Sequence, residues 1–553
     1  MTNSIKDVCE DSQVILLVGS NPEEAHPVMG MRLRQAVERG AKLIVVDPRE
    51  IGLAKKADIH LKLRPGTNVA FANGMVNVLI QKGLVDREFV EGRTEGFDEL
   101  AAMVADYTPE RVAEICGIDA RDLEAAAEMY ATAERAPIVY CLGVVEHSTG
   151  TEGVMALSNL ALASGKLGRP GCGINPLRGQ NNVQGACDMG AGPADFTGYQ
   201  KVANPEMRAK FEAAWGVELN QAAGLKATEC FPAMIDGRIR GLFLFGEDPV
   251  RTDPDNSEHE ARQDAEEHGA ARAPVLARLT PSFGAEDYGD PVCEELFMTE
   301  TAKYADVILP GRSYAEKEGT FTNTERRVQR VRKAVDGPAG ARLDTEVFAD
   351  IMRRMGYDQP TLTGAQLMDE VASLTPSYAG ISHARLDSAA VAGQGLQWPC
   401  TGPDHPGTRI MHEGAFSRGL GGYSLAQYRP SAEQPDEEFP LVMMTGRVLA
   451  QYNAQAMTGR TEGLNQIDGT SFIEINDADA AAAGIADGDR VRVSSRRGVI
   501  ESQARVSGKT NPGEVWMPFH FQDGNANWLT NAALDNISAT PEYKVCAVRV
   551  EKA

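Results

Sequence analysis

The sequence predicts an α/β protein with two Rossmann-like, parallel-sheet regions and a β-barrel at its carboxyl end. Three observations carry that prediction. Through the first 170 residues or so, short apolar β-branched runs closed by glycine and an acid or amide alternate with helical stretches. This is the pattern of parallel strands joined by helical crossovers. The same grammar returns near 241–311. From Phe439 onward the chain changes to short strands punctuated by Gly488, Gly498, Gly508 and Gly513, and closing such strands into a barrel removes their exposed edges.

In chain order, a strand is predicted from Gln13 to Val18, followed by the turn Gly19-Ser-Asn-Pro22. A helix is expected from Pro27 to Arg39, stopping at Gly40, and a strand from Lys42 to Val46 ending in Asp47-Pro48-Arg49. Ile59 to Leu63 reads as a third strand running into Arg64-Pro-Gly-Thr-Asn68, then a helix to about Lys82. Two amphipathic segments, from Pro109 and from Arg121, precede a strand at Pro137 to Leu142 closed by Gly143. A helix through Val154 to Leu167 leads into a loop. The second region shows strands at Gly241 to Phe245, before Gly246-Glu-Asp-Pro249, and at Ala305 to Leu309. Residues 390–437 are rich in Gly, Pro and Ser and read as a linker or surface excursion. Barrel strands are expected near 441, 471, 490, 499 and 514, with Val491/Val493 and Ala504/Val506 marking one buried face. Three parts follow: 1–177, 178–436 and 437–553.

A chain of 553 residues is too long for one core. Its net charge of -23 argues against non-specific nucleic-acid binding, which needs Lys and Arg to neutralise phosphates. The sequence shows no apolar run long enough to cross a bilayer and no secretory signal in Met1-Thr-Asn-Ser-Ile-Lys-Asp. We expect a cytoplasmic protein without direct membrane insertion. Nine scattered cysteines with no C-x-x-C pair exclude a local iron-sulfur or zinc motif, and the histidines lack metal-ligand spacing. No metal ligand is expected from this chain.

Ligands of open parallel sheets sit beyond the strand carboxyl ends, which here are Gly19 to Asn21, Asp47 to Arg49 and Gly66 to Asn68. An acid closing the second strand suits a ribose hydroxyl, and Asp47 could equally cap a turn. The G-x-G-x-x-G fingerprint is absent, so a nicotinamide dinucleotide reading is weak. The run Arg178-Gly-Gln-Asn-Asn-Val-Gln-Gly-Ala-Cys-Asp-Met-Gly190 sets one guanidinium among glycines and side-chain amides. Such a loop can grip something flat, polar and anionic.

That run, entered through Gly171-Cys-Gly-Ile-Asn-Pro-Leu177, closely resembles the active-site loop of formate dehydrogenase catalytic (alpha) subunits, within the molybdopterin oxidoreductase (DMSO reductase) family. Gly246-Glu-Asp-Pro-Val-Arg-Thr-Asp253, Phe297-Met-Thr-Glu-Thr-Ala302, Glu316-Lys-Glu-Gly-Thr-Phe321, Met444-Thr-Gly-Arg447, Met457-Thr-Gly-Arg460 and the stretch from Thr540 to Val550 extend the resemblance over nearly the whole chain. It implies a bis-molybdopterin guanine dinucleotide cofactor with molybdenum or tungsten, one arm in each α/β region. It also implies a barrel of the molybdopterin dinucleotide-binding, double-psi type. Carried over by position, Gly19, Asn21, Asp47, Arg49, Gly66, Asn68 and Gly143 would contact one arm. Gly246, Asp248, Thr252 and Asp344 would contact the other. Arg447, Gln451, Tyr452, Asn527, Tyr543 and Lys544 would form a lid over both. Gln451 stands where some relatives carry histidine, and Glu146 where some carry glutamine. Arg178 resembles the substrate arginine that would hold formate for two-electron oxidation to carbon dioxide, and Gln180 would hold the pterin or support Arg178. An electron-transfer iron-sulfur subunit is the implied partner.

Two departures accompany the resemblance. Met1 aligns just after the family's metal-ligating cysteine or selenocysteine and the four cysteines of its 4Fe-4S cluster. A truncated catalytic subunit is therefore expected, inactive alone and completed by an amino-terminal segment or companion chain that carries the cluster. From Asp255 to Pro291 the chain is acidic and then loop-like, so the helix and buried strand expected before Phe297 are missing and poor order is predicted. Two alternatives stand beside formate oxidation. One is a cofactor-free structural relative within a respiratory or hydrogenase-type complex, and the other a sister oxyanion reductase such as nitrate reductase. Arg178 and its amides weigh against a scaffold, which has no need of a buried unpaired guanidinium. The context Asn175-Pro-Leu-Arg178 favours formate.

Overall fold

A computed structural model describes residues 1–235, 237–254 and 291–553. Of these, 1–177, 250–254 and 410–553 form one compact unit, and the described residues of 178–249 and 291–409 a second.

The first unit holds a parallel sheet of β1 (Val14–Val18), β2 (Lys42–Val46), β3 (Ile59–Leu61), β4 (Ile138–Tyr140) and β5 (Ile174–Pro176), in the order β3-β2-β1-β4-β5. Successive side chains of a strand point to opposite faces. Leu16, Val18, Ile44 and Val46 accordingly pack into one apolar cluster, while Ile15, Leu17, Leu43 and Val45 pack into another. Burial on both faces is why these strands read as unbroken apolar runs. Helix α1 (Pro27–Glu38), with proline in its first turn where an amide hydrogen is dispensable, buries Met29, Leu33 and Ala36 on the second cluster. Helix α2 (Asn68–Gln81) buries nearly every side chain, because Phe97–Val104, Pro109–Cys116, Ala120–Thr132 and α3 (Gly150–Ala163) all pack around it. Strand β5 was not expected: its three residues, Ile-Asn-Pro, lie inside the stretch that reads as a loop entrance.

The carboxyl end of this unit closes into a six-stranded barrel, as the sequence predicts. In the second unit, helix α4 (Val183–Asp188) lies in the arginine loop, and a parallel sheet is built from β6 (Phe243–Phe245), β7 (Val292–Glu295) and β8 (Val307–Pro310). Strand β7 corrects the expectation that no strand precedes Phe297. Its sequence, Val-Cys-Glu-Glu, carries two acids that interrupt any apolar run, yet Cys293 and Glu294 are buried. Residues 255–290, where poor order is expected, lie outside the described residues. Strands β9 (Gly319–Thr322), β10 (Arg327–Val331) and β11 (Leu396–Gln397) form an antiparallel sheet over a core of Val328, Met368, Tyr378, Ile381 and Cys400. Leu396, Gln397 and Cys400 are therefore buried within the stretch read as a linker.

The barrel strands are β12 (Leu441–Gly446), β13 (Phe472–Ile475), β14 (Arg490–Ser494), β15 (Val499–Val506), β16 (Glu514–Pro518) and β17 (Cys546–Lys552), closed in the order β12-β16-β13-β15-β14-β17. Met443, Ile473, Val491, Val493, Val515, Met517 and Val548 fill its interior. Among the described residues no helix is long and apolar enough to cross a membrane.

Candidate active site

Strand order in the first sheet reverses at β1, with β2 on one side and β4 on the other. Crossovers leaving such a point go to opposite faces and open a crevice at the strand ends. Gly19 follows β1 and Gly143 lies just past β4, and their backbones nearly touch. A Cβ on Gly19 would lie 2.6 Å from the Gly143 carbonyl carbon, and one on Gly143 would lie 2.7 Å from the Gly19 Cα. Gly19 also has φ +53°, a left-handed conformation that favours glycine. The close crossing itself thus requires both glycines.

A cavity of about 920 Å³, its open mouth included, lies at this point. Gly19, Asn21, Asp47, Arg49, Gly66, Asn68 and Gly143 line it from the sheet, and Arg447 and Lys544 from the barrel. Burial pushes the Asp47 carboxyl up to about 6, against the pull of the Arg49 amide, which donates to it at 3.0 Å. Arg49 is buried and forked onto Glu474 of β13 at 2.7 and 2.8 Å, with its guanidinium 4.0 Å over the Trp516 ring. Burial alone would lower its pKa, but the Glu474 pair prevails and raises it. Arg49 therefore ties sheet to barrel, and the fork that a ligand would need is occupied by Glu474. Arg447 stacks over Phe519 at 4.7 Å, and Lys544 pairs with Glu146 at 2.6 Å while donating to the Thr445 carbonyl at 2.9 Å. Asn68 donates to the Gly143 carbonyl at 3.1 Å.

Three polar atoms on cavity-lining residues are buried with no hydrogen-bond partner among the described residues: Ser20 Oγ, Asn21 Oδ1 and His147 Nδ1. Buried polar atoms are ordinarily satisfied; Asn21 Oδ1 and His147 Nδ1, whose ring partner Nε2 donates to the Gly143 carbonyl at 3.0 Å, are acceptors suited to a ligand's hydroxyl or amino donors, while Arg447 and Lys544 suit its anionic groups. Sequence reading missed Glu24, Arg64, His147, Trp516 and Phe519 in this lining, and took in Ser20 only as part of the strand end Gly19 to Asn21. Arg64 sits in a turn whose neighbours were singled out, and the strand-end rule could have found it. Trp516 and Phe519 carry no signal separating them from core aromatics.

Gln451 does not line this cavity; its amide nitrogen donates to Asn465 Oδ1 at 3.1 Å and the Asp468 carbonyl at 2.7 Å. Tyr452 is exposed, with its backbone amide on Thr458 Oγ1. Asn527 and Tyr543 meet at the Thr252 carbonyl, at 3.2 and 3.0 Å. In the second unit Gly246 follows β6 with its amide on the Glu294 carbonyl at 3.0 Å. Asp248 accepts from the Thr301 amide and hydroxyl at 2.9 and 2.6 Å, and Asp344 pairs with Lys317. Burial, then the neighbouring Asp344, push Glu294 up to about 7. Among the described residues no cluster of three or more His, Cys, Asp or Glu side chains is placed to hold a metal ion.

Arg178 is partly buried, its amide on Thr324 Oγ1 at 3.0 Å. Its Nη1 donates to the Val183 carbonyl at 3.2 Å and meets Cys187 Sγ at 3.0 Å. The guanidinium is thus not unpaired, contrary to the argument from sequence. Helix α4 folds back beneath the arginine and supplies both partners. Gln180, two residues on, is half-buried.

The family model described as "Molybdopterin oxidoreductase" matches residues 1–268 and 289–354, and the "Molydopterin dinucleotide binding domain" model matches 441–547. Across the whole chain and 78% of the relative, the protein is 44% identical to an F420-dependent formate dehydrogenase 2 subunit alpha of Methanococcus maripaludis. It is 37% identical to formate dehydrogenase H of Escherichia coli, spanning 74% of that protein. Among solved structures, acetylene hydratase from Pelobacter acetylenicus superposes over the whole chain and 79% of its own, with a TM-score of 0.73 at 20% identity, a likeness of fold. A cavity at the sheet's switch point, a closed barrel and matches across both agree: the chain belongs to the molybdopterin oxidoreductase family.

Proposed function

We propose that the chain is a molybdopterin-dependent formate dehydrogenase catalytic subunit, oxidising formate to carbon dioxide with release of one proton and two electrons. The relatives named formate dehydrogenase support this reading, since they match the whole chain at up to 44% identity. The observation that carries it is Arg178, a guanidinium braced at one nitrogen by α4 within a loop of glycines and amides. The cavity fits one arm of a pterin dinucleotide. Arg447 and Lys544 would hold its phosphates, Asp47 its hydroxyl or base donors, and Ser20, Asn21 and His147 would gain partners. A cofactor-free relative would leave those atoms unsatisfied, at about 1–3 kcal/mol each. Gly246, Asp248 and Asp344, and separately Thr252, Asn527 and Tyr543, would serve the second arm. On this reading 1–177 and 178–436 each carry one arm and 437–553 contributes the lid. Bound, the molybdenum or tungsten dithiolene group supplies the two-electron acceptor, and an iron-sulfur partner subunit takes the electrons onward.

Formate loses its negative charge on becoming carbon dioxide, so charge pairing by Arg178 favours substrate over product. Arg178's gain in rate must therefore come from geometry: it fixes the carboxylate plane and so aims the C–H bond. Arg178→Lys keeps the charge and loses the fork. In the assembled, cofactor-loaded enzyme we expect kcat/KM for formate to fall roughly 10- to 100-fold with metal content unchanged. Full activity would show Arg178 dispensable, and loss of metal would make it a cofactor anchor; either result overturns the reading.

A further inference from the structure

We infer that Asp188 is the positioning residue for Arg178, holding the guanidinium in place through helix α4; the inference deepens the reading of Arg178 as the substrate arginine and rests on it. Asp188 is fully buried. Its carboxylate accepts from four neutral donors: Gln184 Nε2 and the Tyr199 hydroxyl on Oδ1, each at 2.8 Å, and on Oδ2 the Tyr378 hydroxyl at 2.6 Å and Trp398 Nε1 at 2.7 Å. Burying a carboxylate is costly unless hydrogen bonds replace its water, and a set this full fixes it in place. Burial, then the charge of Asp188, push both tyrosine hydroxyls upward, so they remain donors.

What the carboxylate anchors follows from chain order. Asp188 closes α4, and the same helix carries the Val183 carbonyl and Cys187 Sγ that hold Arg178 Nη1. Tyr378 belongs to the apolar core of the second unit, and Trp398 packs against it. Asp188 thus fastens the arginine's cradle to that core. Tyr199 keeps a left-handed backbone at φ +63°, uncommon for a side chain of its size, while its hydroxyl reaches the carboxylate. Burial lowers the Arg178 pKa, and the Cys187 contact, with smaller charge effects of Tyr199 and Asp188, raises it. A position needed only for packing would be served as well by a neutral residue of similar volume.

Asp188→Asn keeps the shape but turns an amide donor toward groups that are themselves donors. The readout is the rate at which phenylglyoxal modifies Arg178, followed by mass spectrometry on the assembled protein. We expect a rise on the order of ten-fold, with an accompanying rise in the KM for formate. In a double-substitution cycle with Arg178→Lys, Asp188→Asn should add no further kinetic loss. An unchanged labelling rate overturns the inference, as do additive losses, which would mean Asp188 acts independently of Arg178. Should Asp188→Asn fail to fold, Tyr378→Phe removes one Oδ2 donor and should raise labelling in the same direction by a smaller factor; no rise overturns the inference. Labelling does not depend on which substrate is oxidised. Absent formate turnover in the unsubstituted enzyme would therefore count against the proposed function, while the labelling rate alone would still decide the role of Asp188.

Discussion

Every residue of β1 in the first parallel sheet is buried and apolar clusters cover both faces, whereas in the second sheet Phe243, Phe245, Val307 and Ile308 are 36–44% exposed. Both sheets close their strands with glycine and acids, yet the acids meet different fates. Asp47 lines a cavity, while Asp248 accepts from the Thr301 amide and hydroxyl. An acid at a strand end can thus face a cavity or be engaged by side chains of its own unit. In the first sheet the barrel residues Arg447, Trp516, Phe519 and Lys544 supply the cavity's far wall.

The largest effect expected from this contrast concerns how each acid-base pair is buried. Arg49 and Glu474 are 8% and 4% exposed, whereas Lys317 and Asp344 are 29% and 23% exposed. Removing Arg49 leaves buried Glu474 with Lys509 as its remaining partner, at 2.9 Å, so Arg49→Ala should cost about 3 kcal/mol, the low end for breaking a buried pair. Lys317→Ala should cost at most about 1 kcal/mol. Urea unfolding of the full chain measures both. Equal losses would mean that Arg49 is no tie between sheet and barrel.

The glycines give the next contrast. Gly19→Ala must place a methyl 2.6 Å from the Gly143 backbone at a positive φ, and roughly 2–4 kcal/mol of destabilisation is expected. Gly246 also has a positive φ, +62°, but among the described residues nothing lies within 4 Å of its missing Cβ. Gly246→Ala should cost only about 1–2 kcal/mol, the backbone share. If thermal melts rank the two the other way, the close crossing does not govern Gly19.

Much of this was legible in sequence where one strand supplied its own signal. The runs of β1 and β2 are apolar on both faces, so their existence and the placing of Gly19 and Asp47 at their ends could be read directly. Strand β7 was hidden because buried Glu294 breaks its apolar pattern, and β5 because three residues are too few to show a period. The cavity's far wall was legible only in part. Arg447 and Lys544 came from the family resemblance, while Trp516 and Phe519 arrive through barrel closure, a long-range event that leaves no local mark. Arg178 stood out by its glycines and amides, but Asp188 did not, since its four donors come from residues spread between 184 and 398.

The smallest expected effect separates the two sheets by pH. Burial raises Asp47 to about 6 and Glu294 to about 7. Each acid holds its proton more tightly folded than unfolded, so the folded state is fully favoured below the ordinary carboxylate range. That advantage is lost as pH rises through the folded value, after which stability levels off. The window for Asp47 closes near pH 6 and that for Glu294 near pH 7. Glu294→Gln cannot ionise and should abolish the later part of the decline. The variant and the natural chain should melt with the same pH trend up to about pH 4 and diverge above it, the variant being the more stable by on the order of 1–3 °C at pH 8. Asp344→Asn should act in the same direction more weakly, because it removes the second cause of the Glu294 shift and leaves burial in place. A Glu294→Gln melting curve parallel to that of the natural chain from pH 4 to pH 8 would show that the second sheet holds Glu294 ionised, and that its carboxyl end is as well solvated as its exposed strands.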